Sequence, residues 1–267
     1  MDDELRRRLS GIDRPARPWA RGSGRGRPAA LDDLEGVVSS EGVLVIERDV
    51  AAVGSPQYAR SLLAGTRRAA RSALARADIA GEIRDALVDL EGALFLDTET
   101  TGLAGNMVFL LGLMRFTGGS AVLTQILARD YREERALLER WREVAGGARR
   151  LVSFNGKSFD LPTLRDRLGL HGIEAPPEPH HVDLLHHSRR RWAGFLPDCR
   201  LQTLEWRVCG RRRTGDIPGE EIGAVYHEFV RTGRPNDIFT VLRHNALDIL
   251  TLGDLLVALA APEDEAA

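Results

Sequence analysis

The stretch ALFLDTETTGL, residues 93–103, decides the fold. Four apolar residues, Ala93, Leu94, Phe95 and Leu96, run into two acids one residue apart, Asp97 and Glu99, and then into Thr100, Thr101 and Gly102. A short apolar run bounded by turn residues reads as a buried strand. Alternation puts residues i and i+2 on one side of a strand, so both carboxylates point the same way at its end. Two same-facing acids repel unless a cation lies between them. Carboxylate oxygens are hard donors, suited to Mg²⁺ or Mn²⁺.

Downstream, MVFLLGLMRF (107–116) and SAVLTQILA (120–128) read as a second and a third strand. The breaks between the three, TGLAGN and TGG, suit antiparallel hairpins. Residues 131–146 switch to helical spacing through Leu137, Leu138, Trp141, Val144 and Ala145. RRLVSFNG is a fourth strand ending near Asn155, SFDLPTLRDRLGLHG a helix from near Ser158, and HHVDLL (180–185) a short fifth strand. Helical segments follow near 184–194, 200–209, 219–232 and 236–260. This order predicts an α/β fold, a mixed sheet covered by helices.

Upstream, residues 1–35 read as a disordered basic arm, with eight Arg against four acids over 1–30. VLVIE (43–47) is a short strand, and 56–90 is helix-like; together 36–90 form an N-terminal appendage packing on a main domain at 91–260, with a tail at 261–267. No apolar run approaches the roughly 20 residues that span a bilayer, and the N-terminus lacks a secretory h-region. A cytoplasmic protein without a membrane partner is expected. Cys199 and Cys209 lack a metal-type partner pair and read as reduced and structural. Of 37 basic residues, 36 are Arg and one is Lys157, a skew that reflects base composition and makes Arg-richness weak support for nucleic-acid binding.

Two more acids join the pair. Asp160 opens the helix after the fourth strand, where the helix dipole also favours an acid. Asp248 sits among Leu247, Ile249, Leu250 and Leu252 in HNALDILTL, and acids in such company are paired or bound to metal. His244 lies four residues before it, on the same helix face.

FLDTETTGL, FNGKSFDLP, HVDLL and HNALDILTL, in this order, resemble the DEDD superfamily of 3′→5′ exonucleases on a ribonuclease H-like fold, in particular the YprB-like ribonuclease H-like domain family with its LFLDTETTGLAG opening. The resemblance covers about 93–258. It implies a five-stranded mixed sheet, order 3-2-1-4-5 with strand 2 antiparallel, flanked by helices. It implies two Mg²⁺ or Mn²⁺ ions held by Asp97, Glu99, Asp160 and Asp248, Asp97 bridging them, and His244 as general base. The family's His-type branch has His five before the last Asp and the Tyr-type branch has Tyr four before it; this chain has His at the Tyr spacing, which leaves the subclass open. It further implies that the backbone around Thr100–Leu103 lies against the 3′-terminal nucleotide, with Leu103 as a wedge, and that Asn155 and Lys157 flank a phosphate. Asp183 matches a recurring acid that orients a neighbour or stays structural.

The expected activity is metal-dependent 3′→5′ hydrolysis of single-stranded RNA or DNA. A binding or scaffolding domain with little activity, and an endonuclease on structured substrates, are the alternatives. HHVDLLHHSRRRW reads as a strand-to-helix junction with solvated His ahead of a second metal site. The Arg clusters 189–191 and 211–213 suggest a basic rim for phosphates. Trp192 and Trp206 lie near it; helical spacing assigns Trp206 to the core.

Overall fold

The computed structural model describes residues 31–39, 41–102 and 107–262. The arm expected over 1–35 lies outside the described residues as far as residue 30, and so do Leu103 and the tail from 263.

Seven strands form one sheet: β1 (Val37–Ser39), β2 (Leu44–Asp49), β3 (Ala93–Thr100), β4 (Val108–Thr117), β5 (Ser120–Leu127), β6 (Arg150–Ser153) and β7 (His180–Asp183). Their order is β1-β2-β5-β4-β3-β6-β7. β3, β4 and β5 pair antiparallel in sequence, and β3, β6 and β7 pair parallel. This is the expected five-stranded arrangement, with β4 reversed, plus two strands on the β5 edge.

Those two strands correct the N-terminal boundary. Residues 37–49 are part of the sheet: β2 pairs antiparallel with β5 from Leu44↔Leu127 to Asp49↔Val122. Leu44 and Ile46 are fully buried, and Leu31 and Leu34 enter the same core. The reason is the apolar LVI run, which is stable in a strand only if something covers it.

The helices are α1 (Val50–Val53), α2 (Pro56–Ala75), α3 (Gly81–Val88), α4 (Glu134–Gly146), α5 (Asp160–Leu170), α6 (Leu184–Trp192), α7 (Leu201–Arg207), α8 (Ile222–Thr232) and α9 (Pro235–Leu259). They cover both faces. Leu94 and Leu96 of β3 pack into the core with Trp141 of α4 and Tyr226 of α8. Ala93 and Phe95 point the other way, into a core built by Leu62 of α2 and by Ile249, Leu250 and Leu256 of α9. The two-residue period of the opening stretch is therefore satisfied on both faces, each buried Leu or Phe contributing about 1.5–3 kcal/mol. Among the described residues no helix is long and apolar enough to cross a membrane.

Candidate metal centre

Asp97 and Glu99 leave β3 on the Phe95 face, toward α9. Helix α9 starts with Pro235, whose fixed φ suits a first helical position, and carries His244, Asn245 and Asp248 against the sheet. Asn245 is fully buried, and its Nδ2 donates to Asp97 Oδ2 at 2.8 Å. Gln125 Nε2 donates to Asn245 Oδ1 at 2.9 Å, and Arg48 donates to Gln125 Oε1 at 2.7 Å. Space for Asn245 exists because Gly112, opposite Asp97 in the register, has no side chain; a Cβ there would lie 2.3 Å from Asn245 Oδ1.

Asp160 is the first residue of α5 and is buried. Thr98 Oγ1 donates to its Oδ1 at 2.6 Å. The turn that delivers it is fixed by Asp183, whose carboxylate accepts from the backbone N–H of Asn155 at 2.8 Å and of Lys157 at 3.1 Å. Asn155 adopts φ 64°, a left-handed conformation that Asn tolerates better than most residues. Lys157 is exposed beside it, without an ion pair among the described residues. Thr100 ends β3, half-buried, just past a register shift.

Glu99, His244 and Asp248 each offer a ligand atom, and these atoms lie within 4.8 Å of one another. His244 Nε2 lies 3.2 Å from Asp248 Oδ2 and its Nδ1 lies 3.0 Å from Asp216 Oδ2. The other Asp248 oxygen accepts from Arg213, which also pairs with Glu205 and with Asp216 at 3.0 Å. Asp97 and Asp160 stand outside that group of three; Asp160 acts on Glu99 electrostatically, and Asp97 feels Asp248, Glu99 and His244.

The charges do not balance. Burial, and then the charges of Asp248, Glu99 and Asp160, push the Asp97 carboxyl well above its ordinary range. Burial lifts Glu99 to about 8 and Asp160 to about 6, against the pull of His244 on the first and of the Thr98 hydroxyl on the second. Burial alone would raise Asp248 too, but Arg213 and His244 hold it below the usual value. Burial disfavours the His244 imidazolium, yet its bonds to Asp216 and Asp248 and the nearby acids carry it to about 11. Buried carboxylates short of counter-charge, with hard oxygen donors converging, fit divalent cations.

Some readings do not survive. Arg211 and Arg213 are not a solvent-facing rim: both are buried or nearly so and paired with Glu205, Asp216, Asp248 and Asp254. Arg191 is likewise engaged, donating to the Leu259 and Ala261 carbonyls past α9. The two tryptophans exchange places: Trp192 is buried and Trp206 is 45% exposed. The four His do not converge. His180 and His186 face solvent, His181 lies 2.7 Å from Ser153 Oγ, and His187 lies 2.9 Å from Glu82. Both cysteines are free thiols. Reading the sequence missed Asn245, Asp216, Thr98 and the inward role of Arg213; the lone glycine inside the β4 run was the one usable signal, marking a close approach.

The profile of the RNase_H superfamily matches residues 94–260. The chain is 36% identical over 171 residues to the uncharacterized protein YprB of Bacillus subtilis (strain 168), across 62% of this chain and 41% of that protein. It thus spans less than half the length of that relative. A family B DNA polymerase from the hyperthermophilic archaeon Pyrobaculum calidifontis is similar in structure, with 16% identity and a TM-score of 0.49, over 64% of this chain and 27% of the polymerase chain.

Proposed function

Because the chain belongs to the RNase H superfamily, a fold family of nucleases that generally use divalent metals, we propose that it removes nucleotides from the 3′ end of single-stranded nucleic acid, using two Mg²⁺ or Mn²⁺ ions. The observation that carries this reading is the carboxylate excess on β3, α5 and α9: Asp97, Glu99 and Asp160 are all raised, with His244 and Arg213 as the cations beside them. Asp97, Glu99, Asp160 and Asp248 would hold the ions. Bound there, the ions would supply positive charge that offsets the phosphodiester's own and Lewis acidity that makes water a nucleophile near neutral pH.

The chain's own residues set the geometry. Asn245 fixes one oxygen of Asp97, and Thr98 fixes one oxygen of Asp160. Asp216 holds Nδ1 of His244, leaving Nε2 as the nitrogen that faces Glu99 and Asp248. A proton from the attacking water would go to that nitrogen. Neutralising Glu99 and Asp248 would remove part of the charge that sustains the imidazolium, with Asp216 still on Nδ1, and so would shift the ring in the direction of its base form. Thr100 would lie against the terminal nucleotide, and Asn155 and Lys157 would flank a phosphate, Lys157 as a point charge.

End-labelled single-stranded RNA and DNA, incubated with Mg²⁺, Mn²⁺ or EDTA and resolved on a sequencing gel, test this. The expected result is a ladder shortening from the 3′ end, lost with EDTA and in Asp97→Ala. Internal fragments would replace the exonuclease by an endonuclease. Metal-dependent cleavage that survives in both Asp97→Ala and Asp248→Ala would overturn the assignment.

A further inference from the structure

Helix α7 has two dissimilar sides. Leu204 and Glu205 turn inward, Glu205 meeting Arg211 and Arg213; Trp206 and Arg207 turn outward. The Arg207 guanidinium lies 3.9 Å from the centroid of the Trp206 ring, and that of Arg212 lies 5.3 Å from it. Both arginines are exposed, and neither has a hydrogen bond or an ion pair among the described residues. Arg211 and Arg213 of the same segment are by contrast buried or nearly so and matched to acids. Two unmatched planar cations on an exposed indole therefore stand apart.

Their place is defined by their neighbours. Arg212 immediately precedes Arg213, which donates to Asp248, and Trp206 immediately follows Glu205, which holds that same Arg213. The group thus lies on the outer side of the segment whose inner side reaches Asp248 through Arg213. Its chemistry is complementary to a strand with phosphates and bases: guanidinium planes take phosphate oxygens, and flat π and cation faces take bases. It also presents two exposed positive charges on the segment that joins Glu205 to Arg213.

We propose that Trp206, Arg207 and Arg212 form a stacking and phosphate-binding platform for single-stranded nucleic acid, holding the part of the strand 5′ to the nucleotide at the acid centre. The direction rests on the 3′→5′ reading above; the platform itself does not.

The test measures binding of the full chain in EDTA, by fluorescence anisotropy with a 5′-labelled oligo(dT), an oligo(U) and an abasic oligomer with the same phosphates. Variants are Trp206→Ala, Trp206→Phe and the pair Arg207→Gln with Arg212→Gln. Trp206→Ala should weaken binding of the base-bearing strands on the order of 5- to 100-fold, leave the abasic strand unchanged, and be largely rescued in Trp206→Phe. The double Arg variant should weaken all three and flatten the salt slope of log Kd by about 1.4, the value for two phosphate contacts on a single strand. Unchanged affinities and slope, no binding by wild type, or equal losses on abasic and base-bearing strands in Trp206→Ala would each overturn the platform. Unchanged melting temperatures of these surface variants exclude misfolding as the cause. Cleavage assays separate the two ideas. Binding that depends on Trp206 without any cleavage would sink the exonuclease and keep the platform; cleavage with KM untouched in these variants would do the reverse.

Discussion

Helix α9 borders two clusters of charge, and their balance differs. One gathers Asp97, Glu99, Asp160 and Asp248 with too little positive charge. The other, one to two turns further along, centres on Arg211, 2% exposed, paired with Glu205, with Asp254 at 3.0 Å and with the Thr251 hydroxyl. Tyr58 of α2 completes it, its hydroxyl 3.1 Å from Asp254. Arg213 touches both, through Glu205 and Asp248. The second cluster finds its partners within the chain and joins α2, α7 and α9, although burial still lifts Asp254 to about 6. The first gathers four acids around two cations, with Glu99 lifted to about 8 and Asp97 raised as well, which suits the proposed metal site rather than a strut.

The comparison breaks most visibly at Arg211. Arg211→Met removes the cation shared by Glu205 and Asp254, leaving them only Arg213 and the Tyr58 hydroxyl, and should cost about 3–5 kcal/mol, read as a lower urea midpoint with or without metal. A loss below about 1 kcal/mol would mean that the second cluster is no strut. Next comes the response to metal and pH. A carboxyl whose folded pKa exceeds its unfolded one binds more protons when folded, so stability falls as pH rises between the two values. For Asp160 that window runs from 3.8 to about 6 and for Glu99 from 4.5 to about 8. His244, carried from 6.5 to about 11, extends the decline on the alkaline side. In EDTA, stability should therefore drop from pH 4.5 to 8, and Mn²⁺ at a hundred times its Kd should restore about 2.7 kcal/mol at pH 8. Calorimetric scans check this; an equal metal-induced shift in Asp97→Asn would place the binding elsewhere.

Smaller effects sharpen the picture. Gly112→Ala drives a methyl into Asn245 and should cost about 1–3 kcal/mol; its activity should fall further than its folded fraction, because Asp97 loses its hydrogen-bond donor. Asn155→Ala places an alanine at φ 64° and should cost about 1–2 kcal/mol, whereas Asn155→Gly should not. If Asn155→Gly nevertheless raises KM, the amide meets substrate; an unchanged KM confines Asn155 to the turn.

The fold was legible wherever the pattern was local. Alternation in residues 93–99 put Asp97 and Glu99 on one side of β3, and the order of strands and helices indicated a mixed sheet covered by helices, its strand order coming from the family resemblance. The pairing of β2 with β5 was not legible, because its partner lies some eighty residues away and no turn joins them. At the centre, the acids stood out as charges in apolar company. Arg213 did not, because a basic run reads as solvated until its acids, Glu205, Asp216 and Asp248, are folded around it. Trp206 was misplaced because α7 spans two turns, too short for spacing to phase it; the inward pull of Arg211 and Arg213 on Glu205 decides which side faces water.

One feature of the sheet carries a mechanical consequence. β3 is paired with β6 only from Ala93 to Phe95, while its pairing with β4 continues to Thr100. The strand is a cantilever, clamped along both edges at its root and along one edge at its tip, with Asp97 and Glu99 on the tip. Amides at the root open only when the whole domain opens, and those beyond Phe95 along the free edge exchange first. Beyond Phe95 the place of β6 along that edge is taken by side-chain bonds, Thr98 to Asp160 and Asn245 to Asp97, so the stance of the two carboxylates rests on α5 and α9 as much as on the sheet.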